Sequence, residues 1–382
     1  MTGMAPVDLA VVGAGLSGCA LLSRLAQRGF DGSVALIEAG RGPGGRTATR
    51  RSRRDEGLRL DHGAPLLNLS AGIEKELAPL LQPLIEAGQL QRETRPLLGL
   101  DHQGGWAESA AHPLLSGQLW RGVPEMAAIA GSLMAQGPAE LQCHFGLRLR
   151  WIERHGGIWL LADAERNQVI EARRLVLSGN LLAHPRSLAM LAWPDVPLRS
   201  AVACGEDLQL DQALASIAGI EATVRWNLML SLPSPPVADL PRQLWCLPEA
   251  QQRWGLERLV LQTQADGRLG VVLHGFDGGE AITPESQPLL LQQQERRQLE
   301  AWRELTASWP GGEWWAEQAE SLGVMRWGAS LPILGALPQH LQWCGASGVG
   351  FCGDWIAGPG YGRCEGALHS VLKLADQLME AN

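Results

Sequence analysis

Hydrophobic positions along the chain keep two periods. Leu9 to Val12 is an unbroken apolar run of buried-strand length. The next segment, Leu16 to Arg28, places Leu21, Leu22, Leu25 and Ala26 on one side at helical spacing, and Gly29 offers the left-handed conformation that ends a helix. Ser33 to Glu38 is a second strand that closes on a carboxylate. Strand, helix, strand is therefore the expected opening.

Further along, Ile73 to Ala87 has helical spacing broken by Pro79 and Pro83, inside a loosely patterned stretch from Leu69 to Leu119 that reads as an insertion. Pro124 suits a first helical position, Met126, Ile129, Ala130, Leu133 and Met134 form one apolar face, and Gly137 ends that helix. Leu147 to Glu153, Gly157 to Ala162 and Val169 to Leu177 predict an antiparallel meander. The texture then changes. A proline-rich link spans Leu232 to Pro241, and strands are expected at Val224 to Leu230, Leu256 to Thr263 and Leu269 to His274. The last two are joined through Asp266-Gly267, a strong hairpin dipeptide, and a helix follows near Gln287 to Ser308. Near the end, Gly348 to Asp354 reads as a buried strand. After a Gly/Pro loop to Tyr361, Gly362 to Ala367 opens a helix whose face is Ala367, Val371, Leu374 and Leu378.

The opening carries chemistry. Gly13, Gly15 and Gly18 stand where a first strand turns into a helix. In that position glycines allow a tight turn, close approach of the backbone to a pyrophosphate and close helix-to-strand packing, with the phosphates at the helix N-terminus. Glu38 lies 20 residues past Gly18, the separation at which a carboxylate accepts hydrogen bonds from ribose hydroxyls. A dinucleotide site follows; its identity does not follow from these residues. A second glycine-rich element comes directly after it, in which Gly44 and Gly45 let the backbone pass close to a bulky group and Arg46 carries a charge suited to phosphate. The arginines from Arg50 to Arg54 read as a solvated loop.

Composition narrows the class. The chain has 382 residues, 46% of them hydrophobic, and a net charge of −8, with mean hydropathy −0.04. These values describe a globular protein with core enough for two domains, and they oppose nucleic-acid binding, which needs a cationic surface. No apolar stretch is long enough to span a membrane, and the N-terminus has no secretory pattern. Seven cysteines make no CxxC pair or zinc spacing, and the odd number suits a reducing compartment. A cytoplasmic location and no metal site are expected.

The order of these motifs, Gly13-x-Gly15-x-x-Gly18, Glu38, Gly44-Gly45-Arg46 and Leu60-Asp61-His62-Gly63-Ala64, resembles the flavin amine oxidase superfamily. Within it, the run from Gly44-Gly45-Arg46 into Asp61-His62-Gly63-Ala64 is most similar to the renalase-like oxidoreductases. The resemblance implies an α/β fold, with a discontinuous Rossmann-like FAD-binding domain over 1–68, 120–182 and 322–382. An interleaved α+β substrate domain would occupy 69–119 and 183–321. It implies that Leu149 touches the adenine. Gly353-Asp354 would serve the ribityl or phosphate region, while Gly366 and Ala367, at a helix N-terminus, would face the isoalloxazine edge that becomes anionic on reduction.

By the same resemblance, the reactive flavin face is lined by the Asp61 to Ala64 turn with His62, Gly63 and Ala64, by Arg326-Trp327 and by the loop carrying Tyr361. His62 is a candidate to polarise substrate while titrating near neutrality, Trp327 to stack on a ring and Arg326 to pair a phosphate. The chain departs from many amine oxidases in having only two lysines, Lys75 and Lys373, neither in these motifs. The renalase-like branch passes hydride from dihydronicotinamide isomers to flavin and then electrons to oxygen, which requires no strong base. Noncovalent FAD, a small-molecule substrate of this kind and oxygen as acceptor are therefore expected. The alternatives are a desaturase or amine oxidase acting on a hydrophobic substrate, and a non-catalytic FAD-binding protein.

Overall fold

The computed structural model describes residues 5–51, 55, 57–108, 112–191, 193–280, 282–283 and 285–381. Arg53 and Arg54 lie outside them. Two large sheets organise the chain. In the first, Val7–Val12 is flanked in parallel by Val34–Glu38 and by Val169–Leu177, so the opening apolar run lies at the sheet's centre. Successive residues of Val34–Glu38 feed two cores. Val34 and Leu36 join the core under the helices Leu16–Gln27, Ile73–Glu86, Met126–Ala135 and Cys364–Glu380, while Ala35 and Ile37 join the opposite one. That two-sided burial is why the strands read as continuous apolar runs.

The meander Trp151–His155, Ile158–Ala162 and Val169–Leu177 is antiparallel as expected, and Val349–Phe351 adds in parallel to the far end of Val169–Leu177. One strand escaped the sequence reading. Leu141–Phe145 pairs in parallel with Val34–Glu38, although its half-exposed edge position leaves it no alternating pattern. The expected strand start at Leu147 is instead a connection over Glu38, with the Leu147 N–H donating to the Glu38 carbonyl at 3.1 Å.

The second sheet runs in the order Glu320–Leu334, Glu221–Leu232, Leu269–Phe276, Leu256–Thr263, Gln243–Cys246, Leu97–Leu100, Trp106–Ala107. One face is apolar and is covered by the helix Gln287–Thr306. Trp302, Trp309 and Trp315 pack edge to face there, with centroids 5.1–6.2 Å apart. Their indole N–H groups donate to the carbonyls of Trp315, Gly104 and Pro310 respectively. These tryptophans are core.

Several expected boundaries move. Glu320–Leu334 pairs along Glu221–Leu232 in the second sheet, so the segment expected from 322 rejoins the first sheet only later, at Val349–Phe351. Leu182, Leu198, Leu210 and Ile217 pack into the first sheet's core rather than a substrate domain. The Ile73–Glu86 helix is continuous and belongs with the first sheet through Leu77, Leu80, Leu81 and Leu84, not with an insertion. Pro83 lacks the N–H that would bond the Pro79 carbonyl, and the Gln27 side chain donates to that carbonyl instead, at 2.7 Å. Of the arginine run, Arg51 and the neighbouring Arg59 donate to the buried Glu125, with Nε–Oε1 2.7 Å and Nη1–Oε2 2.8 Å.

Candidate active site

One cavity of about 1440 Å³ lies between the first sheet and the polar face of the second. It exceeds the roughly 300–1,000 Å³ of ordinary small-ligand pockets, which leaves room for an extended dinucleotide and a further small molecule. At one end the two glycine-rich segments meet backbone to backbone: Gly44 N–H donates to the Ala14 carbonyl at 2.8 Å. Gly45 has φ +54°, and a Cβ there would lie 2.9 Å from Gly15 Cα, so a side chain would both strain the turn and push the segments apart. Gly18 does not line the cavity. A Cβ on it would meet the Gly13 carbonyl at 2.1 Å, which makes it the helix-to-strand contact.

Glu38 stands beside this cradle. Its two oxygens accept from Ala14 N–H at 2.8 Å and Gly40 N–H at 2.6 Å. Each carboxylate oxygen keeps a further lone pair for a ligand hydroxyl. Leu149 lines the same end, as do Gly13, Gly15, Gly44, Gly45 and Arg46.

The C-terminal motif divides. Asp354 and Ala367 line the cavity, while Gly353 and Gly366 do not; a Cβ on Gly366 would come within 2.2 Å of the Gly360 carbonyl, so this glycine serves packing. Asp354 and Arg46, 308 residues apart in the chain, form one bidentate pair at 2.5 and 2.7 Å. Arg46 is therefore not the free cation the sequence suggested. Burial opposes its charge, but Asp354 overcomes this and raises its pKa above the usual arginine value.

The Asp61 to Ala64 turn is clamped onto the second sheet by side chains that imitate strand pairing. The Gln262 amide accepts from Asp61 N–H at 2.8 Å and donates to the Asp61 carbonyl at 3.1 Å. Asn227 Nδ2 and Trp327 Nε1 both donate to the His62 carbonyl, at 2.7 and 3.1 Å. The His62 ring lies stacked on Trp327, with centroids 5.3 Å apart, and both residues line the cavity. Burial, with Arg50 adding to it, lowers the His62 pKa to about 4, so the imidazole is neutral at physiological pH rather than titrating near neutrality. Turnover should accordingly show no inflection near pH 6.5 traceable to His62. A pH–rate profile whose neutral-range inflection disappears in His62→Asn would overturn this assignment.

The remaining wall was missed by sequence reasoning. Arg225, Asn227, Gln243, Glu257, Arg258 and His274 all line the cavity. They come from four neighbouring strands, with His274 opposite both Asn227 and Arg258 in register. Their signal was present as polar residues at alternate positions, Arg225 and Asn227 against Trp226 and Leu228, but no periodicity says which face meets a cavity. Arg326 lies elsewhere. It pairs in register with Trp226, its guanidinium sits 5.5 Å from that indole's centroid, and it does not line the cavity, whereas the next residue, Trp327, does. Tyr361 lines a separate pocket of about 380 Å³ that shares Leu114, Leu331, Gly362 and Arg363 with the large one. Its hydroxyl donates to the Gly335 carbonyl, so it is not at the expected face.

Residues 11–83 match the family of NAD(P)-binding Rossmann-like domains. Over its whole length the chain is similar to putrescine oxidase solved with putrescine, at TM-score 0.63 and 15% identity, covering 98% of this chain and 99% of that one. It is similar to cyclohexylamine oxidase from Brevibacterium oxydans, at TM-score 0.63, 16% identity and the same coverage of 98% and 99%. The chain has the amine oxidase fold. A fatty acid isomerase from P. acnes shares that fold at TM-score 0.64 and 12% identity, covering 98% and 99%. No curated protein matches by sequence. One fold thus carries amine oxidation and fatty acid isomerisation, and the chemistry of this protein must be argued from its own cavity.

Proposed function

We propose that the protein is an FAD-dependent oxidoreductase that accepts hydride from a small, polar, dihydronicotinamide-like substrate, with molecular oxygen as final electron acceptor. The observation that carries the reading is the joining, in one cavity, of a glycine cradle with Glu38 and a wall of buried polar side chains. An apolar wall would suit a polyene or a long alkyl amine; this one presents Arg225, Asn227, Gln243, Glu257, Arg258 and His274 to the cavity, groups that suit a polar ligand.

The residues present fit the cofactor. Gly13, Gly15 and Gly45 would admit its pyrophosphate, Glu38 its ribose hydroxyls and Leu149 its adenine. Ala367, in the first turn of Cys364–Glu380, would bring helix N–H groups to the flavin, an environment that favours negative charge by about 0.3–2 kcal/mol. Bound FAD supplies the hydride-accepting and oxygen-reducing chemistry.

The chain's own groups orient rather than transfer protons. His62 is neutral and held by its stack on Trp327. His274 is kept neutral by burial, with Arg258 and Arg225 adding to the effect. Neither lysine lines the cavity. Such a site suits a substrate whose ring-nitrogen lone pair drives hydride loss. Cys364 lines the cavity, but burial and Asp354 push its pKa up to about 12, so it stays a thiol and supports noncovalent attachment.

Anaerobic stopped-flow mixing tests the reading. The 2- or 6-dihydronicotinamide nucleotides should bleach the flavin rapidly, air should restore it with peroxide formed, and denaturation should release intact FAD. Rapid reduction by an aliphatic amine or a carotenoid precursor, and none by any dihydronicotinamide, would reject the substrate class. No reduction by any of them would favour a binding protein.

A further inference from the structure

We infer that the second-sheet wall of the cavity is a binding site for one negative charge on the substrate, a phosphate or carboxylate, received by Arg258 together with Arg225. The inference deepens the proposed function and rests on it only for the identity of the ring attached to that charge.

The site begins with a bulge. Leu256 pairs with Gly275, yet Arg258 pairs with His274, so one extra residue enters the strand at Glu257. In a regular strand Glu257 and Arg258 would face opposite sides; the bulge turns both toward the cavity. Glu257 then accepts from Arg225 Nη2 at 2.7 Å, while its approach to Arg258 is only 3.9 Å. The Arg225, Glu257 and Arg258 side chains are 11%, 13% and 10% exposed.

Charge at this wall does not balance. Two guanidiniums face one carboxylate; the histidines around them, His274, His62 and His112, have lowered pKa values, chiefly through burial, and burial pushes the Cys246 and Cys364 thiols up to about 12, so none of these groups adds a charge. Glu257 cannot relieve the excess by changing state. Burial acts to raise its pKa, but the attraction of Arg258 and Arg225 outweighs this and holds it below the usual range, so it is already ionised. One positive charge therefore remains uncompensated in a poorly hydrated wall, a costly arrangement that a bound anion relieves.

The hydrogen-bonding inventory agrees. The Nε groups of Arg225 and Arg258 have no hydrogen-bond partner among the described residues, and Arg258 Nε meets Glu257 Oε2 only at 3.9 Å. Both guanidiniums are backed by aromatic rings, Arg225 over Phe276 at 4.7 Å and Arg258 over Trp245 at 4.8 Å, which fixes them before a ligand arrives. Because Asn227 Nδ2 donates to the His62 carbonyl, that side chain lines the cavity as a fixed neutral amide and adds no charge to the wall. The favoured ligand is a monoanion, and a neutral apolar amine lacks the charge that this wall receives.

The test uses the oxidised holoprotein. Inorganic phosphate and benzoate are titrated separately, with calorimetry and the flavin's visible spectrum as readouts. At least one should bind saturably, and which of the two binds more tightly tells phosphate from carboxylate. Arg258→Gln should weaken that binding about 10- to 100-fold, Arg258→Lys should recover part of it, and Glu257→Gln, which removes the carboxylate opposing the two arginines, should tighten it. With substrate, kcat/KM for a dihydronicotinamide mononucleotide should exceed that for the uncharged riboside by a similar factor, and the ratio should collapse toward one in Arg258→Gln. Absence of saturable binding by either anion, or equal binding in wild type and an Arg258→Gln protein that still retains FAD, overturns the inference. If neither the mononucleotide nor the riboside reduces the flavin but anion binding is lost in Arg258→Gln, the substrate reading fails and the anion site stands.

Discussion

Exchange of Arg242 for methionine is expected to destabilise the protein by about 3–5 kcal/mol, the usual cost of leaving a buried ionic partner uncompensated. Arg242 is buried between Asp61 and Glu93, 3.6 Å from each carboxylate, and donates to the carbonyls of Leu261 and Pro65 at 3.3 Å. It thereby ties the second sheet to the turn that carries His62. Glu93 retains Arg95 at 2.8 Å, so most of the loss falls on Asp61. Burial already raises the Asp61 pKa despite the pull of Arg242, and removing the cation raises it further. The sign with pH follows. Above the Asp61 pKa the variant holds an unpaired buried charge and the full deficit appears; as pH falls and Asp61 takes up a proton, the deficit shrinks. Denaturant unfolding of wild type, Arg242→Met, Asp61→Asn and the double variant at pH 5 and 8 measures this. An Arg242→Met deficit that is small or independent of pH would show that the network contributes packing alone.

Glu38→Ala should weaken FAD binding by about 1.5–3 kcal/mol, or roughly 10- to 150-fold, the range for hydrogen bonds to a charged group. Two effects add. The variant loses the carboxylate for the ribose, and it strips Ala14 and Gly40 of the acceptor that holds their N–H groups at 2.8 and 2.6 Å, which loosens the cradle itself. Glu38→Gln separates them, because an amide oxygen still accepts from one of these N–H groups while the charge is gone. Flavin content after dialysis and the dissociation constant from quenching of flavin fluorescence provide the measurement. Retention equal to wild type in Glu38→Ala would mean that the nucleotide lies elsewhere in the cavity.

The glycine-rich end of the cavity was legible in the sequence because its determinants are local. A buried parallel strand must be apolar throughout, so Leu9 to Val12 and Val34 to Ile37 announce themselves, and the turn between strand and helix leaves no room for a side chain at Gly13 or Gly18. The helix Cys364–Glu380 was legible from its apolar face for the same reason. Each signal lies within about thirty consecutive residues of the βαβ unit or of one helix.

What only the tertiary structure decided depends on which face of a sheet meets which neighbour. Arg326 and Trp327 are adjacent, and the pleat necessarily sends them to opposite sides; nothing in their spacing says that Trp327 takes the cavity. Glu257 and Arg258 are also adjacent, yet share a side because of a bulge set by pairing with Gly275 and His274, residues of the neighbouring strand. The Arg46 and Asp354 pair joins positions 308 apart, and the low pKa of His62 comes from burial made by the whole enclosure. Local sequence determines the elements and the glycine turns because backbone geometry is local. Charge compensation, burial and the face presented to the cavity arise only when distant segments exclude water together.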